Sequence, residues 1–223
     1  SDGKPMAENT EQYRWIVIIK ENLEILFANA RDVFIAADLL WYPIQVEAPP
    51  APREAPDVMV IFGRPKGRRG SYQQWRENNI PPQVAFEILS PSNKTRRGED
   101  EMEDKLEFYQ QYGVEEYYIY DPDTFNLGGW LRQGQSLVYI PTMSGWVSPR
   151  LGIEFEWQHG QELVLHYPDG RRFLSSVELA EQLTQAERQL MQEQQKRQKL
   201  AEQLSRLSPE QLQDLGIDPK LLA

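Results

Sequence analysis

The sequence predicts a mixed α/β domain followed by a helical appendage, and three observations predict it. Two short continuous apolar runs, over 58–62 and 84–89, have the length and composition of buried strands. A helical pattern over 99–112, closed by Gly113, follows the second run, and a further strand-like run over 117–120 follows the helix. From Val177 to Leu207 the composition changes to Gln, Glu, Leu, Ala, Lys and Arg, with neither glycine nor proline, which marks a separate long helix. At 223 residues the chain holds one domain of ordinary size plus such an appendage. Its 40% hydrophobic and 11% aromatic content suits a packed core rather than a disordered chain.

The elements follow in order. Residues 11–30 turn from polar to strongly apolar, and Leu23, Leu26, Phe27 and Ala30 recur at helical spacing, so a helix is expected over 20–31. Trp41, Tyr42, Ile44 and Val46 suggest a strand over 40–47, before Pro49, Pro50, Pro52 and Pro56 impose an irregular connection. After the first apolar run, residues 63–82 open with clustered glycines and prolines and read as a long excursion, of the kind that often carries function. The second run ends at Ser90-Pro91-Ser92-Asn93, and the strand over 117–120 ends at Asp121-Pro122-Asp123. Short strands are expected over 127–132, 136–140 and 163–166, with a turn at Tyr167-Pro168-Asp169-Gly170. These features define a domain over 11–174, an amphipathic helix over 177–207 and a short helical tail over 208–223. In the long helix Leu179, Leu183, Ala186 and Leu190, then Leu200, Leu204 and Leu207, lie three or four apart, while the polar run 192–199 interrupts the seam. Such a helix either packs back on its own domain or self-associates as a coiled coil, with a homodimer as the result.

Composition excludes several chemistries. With no cysteine there is no disulfide, thiolate metal site or cysteine nucleophile. His159 and His166 are the only histidines, so neither a histidine-built metal site nor a Ser/His/Asp triad is expected. Any metal must be a hard, oxygen-ligated ion such as Mg²⁺ or Mn²⁺. No run approaches the roughly 20 apolar residues that cross a bilayer, and Ser1–Thr10 lacks a signal-like apolar core, so a cytoplasmic protein without a membrane partner is expected. The net charge of -10 repels phosphate at long range. The last 47 residues carry 8 acids and 6 bases, or -2, so most of the acidity belongs to the globular part. Local cationic clusters nevertheless occur at Arg64, Lys66, Arg68 and Arg69, and at Lys94, Arg96 and Arg97. They are either solvated loop charges or contacts to a phosphate backbone.

Three residues stand out. Glu87 lies inside the apolar run 84–89, and a buried carboxylate must be paired, protonated or bound to a cation unless its strand is an edge strand that turns it to water. Lys105 borders the inward stripe Met102, Leu106 and Tyr109, from which it can snorkel to solvent or reach the end of the underlying strand. Asp57 opens the first buried strand directly after Pro56, where a turn aspartate would also stand. If the two strands pair, Asp57 and Glu87 reach one oxygen-rich pocket. With the Ile88 carbonyl and waters they suit Mg²⁺, and a nearby ammonium positions or helps deprotonate an attacking water and offsets phosphoryl charge.

Ala55-Pro56-Asp57-Val58, Phe86-Glu87-Ile88-Leu89-Ser90-Pro91-Ser92, Glu101 through Lys105-Leu106-Glu107-Phe108-Tyr109, and Gly113 through Tyr120-Asp121-Pro122 form an ordered series of motifs. Over about residues 13–170 this series resembles the Uma2 (DUF820) family, abundant in cyanobacteria and part of the PD-(D/E)xK restriction-endonuclease-like superfamily. The resemblance implies an α/β/α sandwich with a mixed, twisted sheet of four or five strands, extended or flanked by the strands after 127. It implies that Asp57 and Glu87 bind the metal and that Lys105 supplies the superfamily's lysine, which usually stands two residues after the strand acid, where this chain has Leu89. It further suggests Glu24 as the acid of the first helix and Glu101 as a partner of Lys105. The function implied is a metal-dependent endonuclease acting on DNA, with Arg64, Lys66, Arg68, Arg69, Lys94, Arg96 and Arg97 touching phosphates. The alternative is a catalytically inactive nuclease-fold module that mediates assembly or partner binding.

Overall fold

A computed structural model describes residues 9–208 and 211–212, with backbone alone at Lys94, Arg97 and Glu99. These residues divide into two compact units that meet in sequence at Ser175 and Ser176.

The first unit opens with α1, Thr10–Leu26, whose N-cap Asn9 accepts a hydrogen bond from the Gln12 N–H. Helix α1 starts ten residues earlier than the periodicity over 20–31 suggests. Its true inward stripe is Trp15, Ile16, Ile19 and Leu23, and its polar first turn is capped rather than irregular. Strand β1, Val33–Ala36, is a four-residue run, all of it buried, where no strand was expected. The strand expected over 40–47 shrinks to β2, Trp41–Tyr42, because Pro43 has no N–H for a ladder. Strand β3, Val58–Phe62, and β5, Val84–Ile88, occupy the two apolar runs. Between them the excursion pairs β4, Tyr72–Gln73, in parallel with β2.

Helix α2, Arg96–Tyr112, is capped by the Thr95 side chain, which accepts from the Gly98 N–H, and ends at Gly113 in the left-handed region with φ 98°. Strand β6, Glu116–Asp121, leads to a hairpin of β7, Asn126–Gln133, and β8, Ser136–Tyr139. Three further strands, β9, Trp146–Val147, β10, Glu154–Glu156, and β11, Val164–His166, form a small antiparallel sheet of their own. Strands β9 and β10 were not anticipated; two or three residues leave no readable alternation.

The central sheet has the order β1-β3-β5-β6-β7-β8. Only β5 and β6 are parallel neighbours, so the sheet is mixed, and α2 is the crossover between them. It has six strands rather than four or five, because the β7–β8 hairpin extends it. Alternation sends Val58, Val60, Val84 and Phe86 to one face, with Trp15, Ile16 and Ile19 of α1 and Phe155 and Leu165 of the small sheet. Met59, Ile61, Ala85 and Tyr117 face the other way, with Trp41, Tyr72 and Tyr109. The layers are therefore helix, sheet, helix, with the small sheet sharing the α1 face. Among the described residues no helix is long and apolar enough to cross a membrane.

Two carboxylates, one buried and one half-buried, hold irregular segments to this frame. Glu116, fully buried on β6, accepts from the Tyr118 hydroxyl at 2.9 Å, the Arg150 N–H at 2.6 Å and the Ser148 hydroxyl, which ties the loop after β9 to the sheet. Glu77 accepts from Arg64 Nε at 2.8 Å and Arg69 Nε at 2.7 Å, with all three side chains at most 16% exposed. Glu77→Ala strands two guanidiniums in a half-dry setting. It is expected to cost roughly 3 kcal/mol in chemical denaturation, whereas a surface pair would cost less than ~1 kcal/mol.

The second unit is dominated by α3, Ser176–Leu204, which runs unbroken through the polar stretch 192–199. Most of the tail expected over 208–223 lies outside the described residues.

Candidate active site

Strands β3 and β5 are antiparallel with Val58 opposite Phe86, so one further step brings Asp57 opposite Glu87. Both belong to the alternation set of Met59 and Ala85, which faces α2. Two carboxylates opposed in this way repel unless something cationic or protonated intervenes. Asp57 Oδ2 accepts the Ile88 N–H at 2.6 Å, which anchors the first acid to the strand that carries the second.

Helix α2 supplies the compensation. Lys105 and Tyr109, four residues apart on one face, both reach Glu87. Lys105 Nζ lies 2.7 Å from Oε2, and the Tyr109 hydroxyl donates to Oε1 at 2.5 Å. Glu87 is 3% exposed and Tyr109 is fully buried, while the Lys105 side chain keeps 22% of its surface at the mouth of the site. Lysine thus takes the inward of the two paths open to it.

Burial, then the neighbouring Glu87 charge, pushes the Asp57 carboxyl up to about 8, against the opposing pull of Lys105 and the Ile88 N–H. Burial by itself would lower Lys105, but the Glu87 and Asp57 carboxylates outweigh it and hold the ammonium above the ordinary lysine range. Lys105 is therefore held as a cation at neutral pH in the ion-free protein. Burial, and then Glu87, raises the Tyr109 hydroxyl well above its usual range, so it donates rather than ionises.

The structure brings together Asp57, Glu87, Lys105 and the Ile88 peptide. It does not bring Glu24 to them. Gln12 Nε2, near the start of α1, donates to the Ile88 carbonyl at 2.9 Å, and Glu24 lies twelve residues further along, roughly 18 Å away along the axis. Glu24 instead faces Lys20 at 3.8 Å and Lys66 at 3.6 Å. Glu101 lies one helical turn before Lys105 on α2, partly exposed.

The predicted phosphate contacts divide. Arg64 and Arg69 are engaged by Glu77, and the Arg69 guanidinium stacks 3.9 Å over the Phe34 ring. Lys66 donates to the Phe27 carbonyl at the end of α1, at 2.8 Å. Within this grouping Arg64 and Arg69 are thus paired with Glu77, and Lys66 lies 3.6 Å from Glu24. Arg68 and Arg96 are exposed, and the side chains of Lys94 and Arg97 lie outside those described.

Other residues bearing on the site were not singled out from sequence. Tyr109 reads as an ordinary member of an apolar stripe, and Gln12 as a polar residue in a first turn; no sequence signal reveals their partners. Glu54 acts electrostatically on Lys105, Tyr109 and Tyr117, and Asp38 on Asp57. Both are carried in by the irregular chain around β2, where Trp41 bridges Glu54 and the Asp38 N–H donates to the Pro56 carbonyl. The buried Tyr117 hydroxyl, which feels Glu87, Asp57 and Glu54, has no hydrogen-bond partner among the described residues.

The donor set is two carboxylates and a backbone carbonyl, all hard oxygens, beside a hydroxyl still able to bond; it fits a small divalent ion and contains no soft ligand. Among the described residues no group of three or more His, Asp or Glu is arranged to hold a metal, so such an ion would keep several waters.

A mixed sheet between helices is the architecture of the restriction-endonuclease-like class. Within that class the chain belongs to the Uma2 family, described as "Putative restriction endonuclease", whose model matches residues 7–166. Among solved structures the chain is similar to "a putative nuclease belonging to DUF820" from Anabaena variabilis, at 15% identity and a TM-score of 0.46, covering 66% of this chain and 74% of that one. No curated protein matches.

Proposed function

We propose that the protein is a divalent-metal-dependent endonuclease that hydrolyses DNA phosphodiester bonds in the cytoplasm. The observation that carries this reading is the convergence of Asp57, Glu87 and Lys105, drawn from β3, β5 and α2, with Lys105 Nζ 2.7 Å from Glu87. Asp57, Glu87 and the Ile88 carbonyl would hold Mg²⁺ or Mn²⁺, which when bound supplies Lewis acidity and a more acidic water. Tyr109 fixes the Glu87 carboxylate, and Gln12 holds the Ile88 peptide, so the donor set is oriented beforehand. Lys105, cationic at neutral pH, offsets negative charge that develops on the phosphoryl oxygens. Arg68 and Arg96, exposed among the described residues, would meet a phosphate backbone.

Supercoiled plasmid should be nicked in Mg²⁺ or Mn²⁺ and spared in chelator, and Glu87→Ala should lose nicking. Cleavage unchanged in that variant would reject the site. Calorimetric titration with Mn²⁺ should show binding that Asp57→Ala lacks. The internal commitment of Arg64, Lys66 and Arg69 favours a second reading, an inactive module that mediates assembly. Neither nicking nor Mn²⁺ heat from the wild type would establish that reading instead.

A further inference from the structure

Helix α3 extends over 29 residues, about 43 Å, with no buried residue along it. Leu183, Leu190 and Leu200 are 62%, 59% and 55% exposed. Because the helix is continuous, its register carries through the polar stretch. Positions 183, 186, 190, 193, 197, 200 and 204 alternate steps of three and four without a slip. That is the 3.5-residue spacing of a coiled-coil seam, occupied by Leu, Ala, Leu, Glu, Arg, Leu and Leu. The stretch is thus not a break in the seam but two charged layers at its middle.

Those two layers decide the partner. In a parallel pair of identical helices, Glu193 would meet Glu193 and Arg197 would meet Arg197, and both layers would repel. In an antiparallel pair centred on residue 195, Glu193 of each copy meets Arg197 of the other. The same register sets Leu190 opposite Leu200 and Ala186 opposite Leu204, while Leu183 falls opposite Leu207, just past the end of the helix. Positions flanking the seam carry mainly glutamine (Gln182, Gln189, Gln194 and Gln203), with Glu187 and Lys196 as the charged exceptions. Within one chain Arg197 Nε lies 3.1 Å from Glu193 Oε1, with both side chains more than half exposed, so the two charges already lie side by side on the helix surface.

We infer that α3 is a self-association helix that pairs antiparallel with α3 of a second copy, with the Glu193–Arg197 layers setting orientation and register. This does not depend on the nuclease reading. Sedimentation velocity of the full chain across a concentration series should show a reversible monomer–dimer equilibrium. Glu193→Arg and Arg197→Glu should each weaken the dimer by roughly tenfold or more, by opposing like charges. The double reversal should restore wild-type affinity, while circular dichroism confirms equal helicity in all four proteins. A chain that stays monomeric overturns the inference. So does a dimer indifferent to the single reversals, the behaviour of a parallel pair or another interface, and so does a double reversal that fails to restore association.

Discussion

Lys105→Met should slow nicking by about two to three orders of magnitude while tightening Mn²⁺ binding. In the absence of an ion Lys105 is the cation that Glu87 contacts, 2.7 Å away and largely shielded from water. An incoming divalent ion must share or displace that charge, so removing the ammonium removes a competitor. The same change leaves Glu87 buried with Tyr109 as its remaining donor. Breaking such a pair costs about 3–5 kcal/mol, so the variant should melt well below wild type in chelator. Saturating Mn²⁺ should return much of that loss, because a ligand that binds only the folded state stabilises it. Calorimetry and thermal melts with and without Mn²⁺ measure both halves. Weaker Mn²⁺ binding in the variant would mean that Lys105 supports the ion rather than standing in for it.

Asp57→Asn should make the ion-free protein more stable at pH 8, by about 2 kcal/mol or more, and flatten its dependence on pH. The sign follows from the raised carboxyl. In the folded state Asp57 titrates near 8, and in the unfolded chain near 3.8. Between those values the folded chain retains a proton that the unfolded chain has released, so this group erodes stability as pH climbs from about 4 to about 8. Asparagine never ionises, and its amide oxygen can still accept the Ile88 N–H that Asp57 accepts at 2.6 Å. Denaturant titrations of both proteins at pH 5 and pH 8 give the comparison. Equal pH slopes would show that Asp57 is already ionised in the fold. Adding Mn²⁺ at pH 8 should stabilise wild type and leave Asp57→Asn unmoved, since the ion takes the charged carboxylate.

The two central strands were legible almost to the residue, since runs buried on both faces must be continuously apolar and turn residues bound them. Glu87 was legible for the same reason: a carboxylate inside such a run demands a partner. Lys105 was visible as a charge bordering an apolar stripe, though its direction was not. Helix α1 was misplaced because its apolar inward residues begin at Trp15, after a capped polar turn that resembles a loop. The cluster at 64–69 shows in the sequence as charge density, whereas the pairing of Arg64 and Arg69 with Glu77 shows only in the structure. Gln12 and Tyr109 could not be found at all, since one bonds a backbone carbonyl 76 residues away and the other looks like core. Such long-range polar contacts leave no periodic trace.

The two acids belong to neighbouring antiparallel strands, whereas Lys105 and Tyr109 ride on the crossover between β5 and its parallel neighbour β6. Any partly formed chain that has paired β3 with β5 but not yet seated α2 therefore brings together two negative groups with nothing between them. Cohesion at this spot is withheld until the loop through α2 closes, which ties completion of this cluster to completion of the fold.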